Sequence, residues 1–289
     1  MRIGLATPVV VQVPGIASAW ERDADIDDIA RIAAAADRLG FDHLTCAEHV
    51  AVPERDAAQR GATYWDPLAT LSFLAARTSR IRLATAVLVL GYHHPLAIAK
   101  RYGTLDRISA GRLVLGVGVG SLRAEFDLLG APFDDRGERA DDAMRALRTS
   151  LSQSRTTYHG KYFHYDDLIV EPCARQEQVP IWVGGHTRRS LRRAVELGDG
   201  WMPFGLRYDE VTGLLTEVAP PRGFEVVLST GRPVDPGGDP AGTVGQLRRL
   251  QTAGATAVTC AIAAESAAHY CAQLAALHEL AGQLGEETG

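Results

Sequence analysis

Glu48 and His49, side by side in the stretch HLTCAEHVAVP, stand at the end of an apolar strand-like run where a buried strand would avoid them. Three later segments repeat the pattern of an apolar run with a polar or glycine-rich end. They are GYHHP (91–95), GVGVGSLRAEF (116–126) and GGHTRR (184–189). Any one of them reads as a solvated loop, but four consecutive strand ends of this kind on one rim read as an active site.

The glycine run Gly116–Gly120 fails the dinucleotide pattern, because Ser121 stands where GxGxxG needs its third glycine. It leaves two readings: small residues that admit neighbouring structure, or bare backbone on which a flat ring can lie. In VGGHTRRS, Thr187 is a natural N-cap, and Arg188 and Arg189 fall in the first helical turn, where the helix dipole disfavours cations. A phosphate at that turn would reverse the sign, so the segment is read as an anion site. His43, His49, His93, His94 and His186 include no HxH pair, and no metal site is expected. No GxSxG nucleophile pattern occurs, and Cys46, inside a strand, reads as a small hydrophobe.

Positioning these groups requires a regular scaffold. Short β-branched runs alternate with segments of helical period through the chain, giving eight strands and eight helices in order. The expected architecture is a single α/β domain over residues 1–289, a (β/α)8 TIM barrel with an excursion or short hairpin around residues 154–178. The tail GQLGEETG is expected to fray. With 46% apolar residues the chain can fill such a core, and no run reaches the ~18 apolar residues of a membrane span. A net charge of −5 without a basic stretch argues against nucleic acid. Four cysteines without metal spacing and no export pattern suggest reduced thiols in a cytoplasm.

The segments ADRLGFDHLTCAEHVAVP, YWDPLATLSFLAARTSRIRLATAVLVLGYHHPLAIAKRYGTLDRISAGRLVLGVGVG, DDRGERADDAMRAL and VPIWVGGHTRRSLRRAVELGDGWMP resemble the luciferase-like monooxygenase superfamily, in particular its deazaflavin (coenzyme F420)-dependent oxidoreductases. The resemblance covers about the first 205 residues. It implies hydride transfer between F420 and a small organic substrate. The alternatives are an FMN-dependent monooxygenase using reduced flavin and oxygen, supplied by a partner reductase, and a non-catalytic flavin-binding barrel.

The resemblance also assigns residues. His49 would lie near the reactive face of the ring and manage the proton, with Glu48 orienting it or touching the cofactor. Ala86-Val87 would back the ring through a cis peptide. Gly118, Gly120 and Ser121 would lie beside it, and Gly184, Gly185, His186 and Thr187 would hold its phosphate. Arg136 and Arg139 match a structural arginine motif. Ser121 replaces a glutamate that serves as an acid in F420-dependent sugar-phosphate dehydrogenases, which makes that substrate class doubtful. A homodimer is expected by analogy.

Overall fold

The computed structural model describes residues 1–286, with side chains as far as residue 282. The eight expected strands form a closed parallel barrel: β1 (Arg2–Ala6), β2 (His43–Cys46), β3 (Arg82–Thr85), β4 (Leu113–Gly118), β5 (Ile181–Gly184), β6 (Gly200–Met202), β7 (Glu225–Ser229) and β8 (Ala257–Cys260). Each strand pairs with its sequence neighbours. β8 returns to β1 with Val258 opposite Ile3, and β4 meets β5 with Val117 opposite Val183. The architecture is a TIM barrel.

Helices α1 (Ile26–Leu39), α2 (Pro67–Arg77), α3 (Pro95–Ile108), α4 (Arg136–Ser150), α5 (Arg188–Leu197), α6 (Tyr208–Val218), α7 (Pro240–Thr252) and α8 (Ala267–Glu286) surround it. Their starts follow local chemistry. Asp25, Asp66, Thr187 and Asp239 each accept a first-turn N–H, and Pro67, Pro95 and Pro240 occupy first positions where no N–H is needed. None of the described helices is long and apolar enough to cross a membrane.

Most of the core lies between the strands and the helices, while Ala84, Val114, Trp182, Val227 and Ala257 fill the barrel's centre. His43 is buried there as a structural residue. Its Nδ1–H donates to Asp42 at 2.8 Å, its Nε2 accepts from the Thr259 hydroxyl at 2.8 Å, and its ring stands edge-on to Trp182 at 5.2 Å. Burial pushes its pKa down, consistent with a neutral ring. Gly4 is required opposite it, because a Cβ there would lie 2.3 Å from the ring. On the N-terminal face, Arg2 bridges Asp42 (3.5 Å) and Glu225 (2.7 Å), and Arg82 contacts the same two acids, tying β1, β3 and β7 to the approach of β2.

Two apolar runs form shorter strands than their sequence suggests. The run IGLATPVV (3–10) reads as one strand, but β1 stops at Ala6, because Val9 takes a left-handed φ of +74°, held by its N–H donating to the Glu21 carboxylate at 2.7 Å. The run IRLATAVLV (81–89) also reads as one strand, but it is interrupted at Ala86-Val87, where the expected cis peptide is present, and resumes as Leu88–Val89 alongside β4. The last helix runs to Glu286, into the tail GQLGEETG, whose residues 287–289 lie outside the described residues. The excursion is a hairpin of Arg155–His159 and His164–Ile169.

Burial pushes the Cys46 and Cys260 thiols up to about 12, whereas Cys173 and Cys271 are partly exposed. Iodoacetamide treatment of the native protein at neutral pH is therefore expected to spare Cys46 and Cys260 and to label Cys173 ahead of Cys271, whose thiol partial burial also raises, because the thiolate is the reactive form. Peptide mass mapping checks this, and early labelling of Cys46 would contradict its burial in β2.

Candidate active site

The ends of β2, β3 and β4 bring two carboxylates, two histidines and a tyrosine into one cluster. Glu48 and His49 diverge as neighbours on an extended chain must. His49 turns to Glu125, which lies on a short helix, Arg123–Leu128, after β4. The Nδ1–H of His49 donates to Glu125 Oε2 at 2.8 Å, and the Tyr92 hydroxyl donates to the same oxygen at 2.7 Å. Glu125 Oε1 accepts the backbone N–H groups of Val50 and Ala51, the latter at 3.2 Å. Glu125 is 1% exposed. Burial pushes its pKa up, but the bonds from His49, Tyr92 and Val50 outweigh that and hold the carboxyl below the usual glutamate range. It is thus a buried, ionised acceptor.

Glu48 turns the other way. Its Oε1 accepts from His93 Nε2–H at 2.7 Å and its Oε2 from the Val89 N–H at 2.7 Å. The expectation that Glu48 orients His49 is therefore corrected: Glu125 does so, and Glu48 fastens the end of β2 to the continuation of β3. Burial, then the bond to Glu125, pushes the Tyr92 pKa up, so Tyr92 remains a phenol donor. The dipeptides Glu48-His49 and Tyr92-His93 are cross-linked through two carboxylates.

The Nδ1 bond to an ionised carboxylate fixes the proton on that nitrogen, leaving Nε2 to serve other groups. The Tyr64 ring meets His49 edge-on at 4.6 Å, and its hydroxyl donates to the Arg60 carbonyl at 2.7 Å. Thr63–Tyr64 pairs with Val11–Gln12, so the loops after β1 and β2 hold each other across the barrel mouth.

Glycines shape the neighbouring floor. A Cβ on Gly118 would come 2.6 Å from Val87 Cγ2, and one on Gly184 would come 2.8 Å from Val87 Cγ1. The space these glycines leave is filled by Val87, so a flat group above them would meet Val87 rather than bare backbone. Gly120, with φ +78°, makes room for Phe126 and Val89. Arg136 holds the carbonyl of Gly120 at 3.0 Å and stacks on Phe133 at 3.8 Å, a structural role. Ala86 and Val87 are half-buried and Ser121 is exposed.

At the end of β5, Gly185 adopts φ +135° and packs against Ser190, while Thr187 caps α5 in a reciprocal pairing with Ser190. His186 is exposed, with its ring edge-on to Phe204 at 5.0 Å. The arginines of this turn are paired with carboxylates. Arg188 pairs with Glu217 at 2.5 Å and Arg189 with Asp141 at 3.8 Å, acids on flanking helices. Glu125, Tyr92 and His93 were not anticipated, although each lies within a segment singled out as a polar strand end.

Comparison with known proteins agrees with the fold. An uncharacterised protein of Mycobacterium bovis is 30% identical over 199 residues, covering 65% of this chain and 68% of its own. The FMNH2-dependent dimethylsulfone monooxygenase of Pseudomonas putida is 29% identical over 199 residues, covering 67% of this chain and 52% of its own. Among solved structures, a monooxygenase from Streptomyces bottropensis superposes with a TM-score of 0.75 at 22% identity, covering 96% of this chain and 98% of that one. An F420-dependent secondary alcohol dehydrogenase, in complex with an F420-acetone adduct, gives 0.74 at 15% identity, covering 96% and 97%. The family model of luciferase-like monooxygenases matches residues 1–219, and the chain belongs to that family of oxidoreductases and monooxygenases.

Proposed function

We propose that this protein is an F420-dependent oxidoreductase that moves a hydride between the deazaflavin and a small organic substrate, with His49 handling the accompanying proton. The observation that carries the reading is the His49–Glu125 pair at 2.8 Å, an imidazole whose far nitrogen is free to act because its near one is held by a buried carboxylate. Bound in the mouth, the deazaflavin ring supplies the hydride donor or acceptor.

The chain's own residues supply the rest. Ala86 and Val87, propped on Gly118 and Gly184, back the ring. Gly120 and Ser121 border it. Gly184, Gly185, His186 and Thr187 form the turn that leads a phosphate to the start of α5, where the Arg188 and Arg189 N–H groups have no intrahelical partner and the Ser190 N–H is taken by Thr187. His49 Nε2 gives or takes the proton, and Glu125 keeps that nitrogen aimed and stabilises the charged ring when it forms.

The dimethylsulfone monooxygenase relative favours a second reading, in which reduced FMN and oxygen take the place of F420 and a partner reductase supplies the flavin. Titration of the purified protein with F420 and with FMN, followed by fluorescence quenching, distinguishes them. Saturable binding of F420 with weak or no binding of FMN is expected. Tight FMN binding without affinity for F420 would overturn the deazaflavin reading.

A further inference from the structure

We propose that the hairpin Arg155–His159/His164–Ile169 carries a surface site for a divalent zinc-class ion, formed by His159, His164 and Asp166. The two histidines are directly opposite each other in the hairpin register, and Asp166 follows His164 by two residues, so all three project from the same face. Their rings stack in parallel, 4.2 Å apart and 12° between planes. Both Nε2 atoms turn towards the Asp166 carboxylate, one to each oxygen: His159 to Oδ1, and His164 to Oδ2 at 3.2 Å. The three ligand atoms all lie within 4.8 Å of one another.

Four donors at zinc–nitrogen distances sit about 3.4 Å apart in a tetrahedron, so this set closes on one ion when the imidazoles turn out of their parallel stack. Two imidazoles and a carboxylate suit zinc, nickel or copper rather than magnesium or calcium. The three donors leave a further coordination position open.

The scaffold is held from behind. Thr156, Tyr158 and Tyr165 face inward, with the Tyr158 hydroxyl donating to Asp142 at 2.6 Å and the Tyr165 hydroxyl paired with Ser150 at 2.6 Å. The N–H groups of Tyr162 and Phe163 also donate to Asp142, at 2.7 and 3.1 Å, fixing the turn on α4. The outward triad is therefore carried on a fixed backbone and is open to solvent. As ion pairs alone, such exposed contacts contribute little to stability. The cluster belongs to the hairpin and not to any barrel strand end, so its ion would be independent of the cofactor at the mouth.

Calorimetric titration of tag-free, EDTA-treated protein with Zn2+ tests the site, together with Co2+ titration read by its visible absorption. One ion per chain is expected, with a rise in thermal midpoint. The His159→Ala/His164→Ala double variant should lose that ion. Because removing even an outer-shell partner of a ligand commonly costs about ten- to a hundredfold in affinity, Asp166→Asn should weaken binding at least about tenfold. The substituted side chains are exposed, so the fold and F420 or FMN binding should be unchanged. Should the double variant fold poorly, imidazole 15N shifts of the unaltered protein on adding Zn2+ give the same answer by assignment to His159 and His164. Equal binding by the wild-type protein and the double variant, or zinc-dependent shifts confined to other histidines, would overturn the proposal.

Discussion

Substituting Glu125 by glutamine is expected to lower turnover at least about a hundredfold while leaving cofactor affinity unchanged, because a positioned acid–base group contributes about 10²–10⁴. Glutamine keeps the volume and can still accept the Val50 and Ala51 N–H groups. With its oxygen kept for those N–H groups, its NH2 faces the Nδ1–H of His49 and the Tyr92 hydroxyl, which both lose the acceptor oxygen they share in the wild type. The imidazole is released from its fixed tautomer, and Nε2 no longer presents one protonation state to the mouth. If the two residues act as a unit, the His49→Gln/Glu125→Gln double variant should be no slower than His49→Gln alone. Stopped-flow single-turnover rates compare the three. Additive losses would separate Glu125 from the His49 role.

Glu125→Ala goes further and strands four donors. A cost of about 3–5 kcal/mol is expected, as for one partner removed from a buried pair. The pH dependence has a definite sign. The folded carboxyl is held below the ordinary value of 4.5, so its contribution is present above that value and is lost as pH falls through its folded pKa. The stability gap between wild type and Glu125→Gln should therefore narrow on acidification below about pH 4.5, readable from urea midpoints.

The second large effect concerns Gly116. A Cβ at this position in β4 would lie 1.9 Å from the Thr85 carbonyl oxygen, and backbone cannot rotate aside as a side chain can. The Thr85 hydroxyl already donates to the Gly116 carbonyl at 2.6 Å, so the strands are drawn together at this point. Gly116→Ala should cost about 3 kcal/mol, the upper end of the usual overpacking range. It should also weaken cofactor binding, because Thr85 leads directly into Ala86-Val87. Gly213→Ala is the control. It lies within α6 with nothing near its missing Cβ, and alanine there should not destabilise. A Gly116→Ala urea midpoint equal to wild type would show that β3 and β4 can separate freely.

The barrel was legible because each strand and helix announces itself over a local window. Alternation of β-branched runs with helical segments located the eight strands, and Asp66-Pro67 and Thr187 marked helix starts within a residue. The strand ends were legible as a class, since polar residues and glycines interrupt apolar runs there. Their pairing was not. His49 and Glu125 are 76 residues apart, and the six-residue helix bearing Glu125 is too short to show a period. Glu48 looked like a partner for His49 because the two are adjacent, yet adjacency on extended backbone is what separates them. Arg188 and Arg189 read as anion ligands from position alone, while the acids that claim them come from other helices. Val87's place above Gly118 and Gly184 depends on β3, β4 and β5 meeting, which no local pattern encodes.

A finished barrel has no edges, but a growing one does. β1 pairs with β2 within the first 46 residues, yet its other side waits for β8, more than 250 residues later. Until Ala257–Cys260 has been synthesised, β1 and the latest strand both present unpaired backbone, the kind of template on which chains aggregate. The segment that closes the ring lies beyond the family match, which ends at residue 219. Chains cut short before β8 should thus be held by chaperones or lost to aggregates, even though every rim residue of the candidate site has already been made.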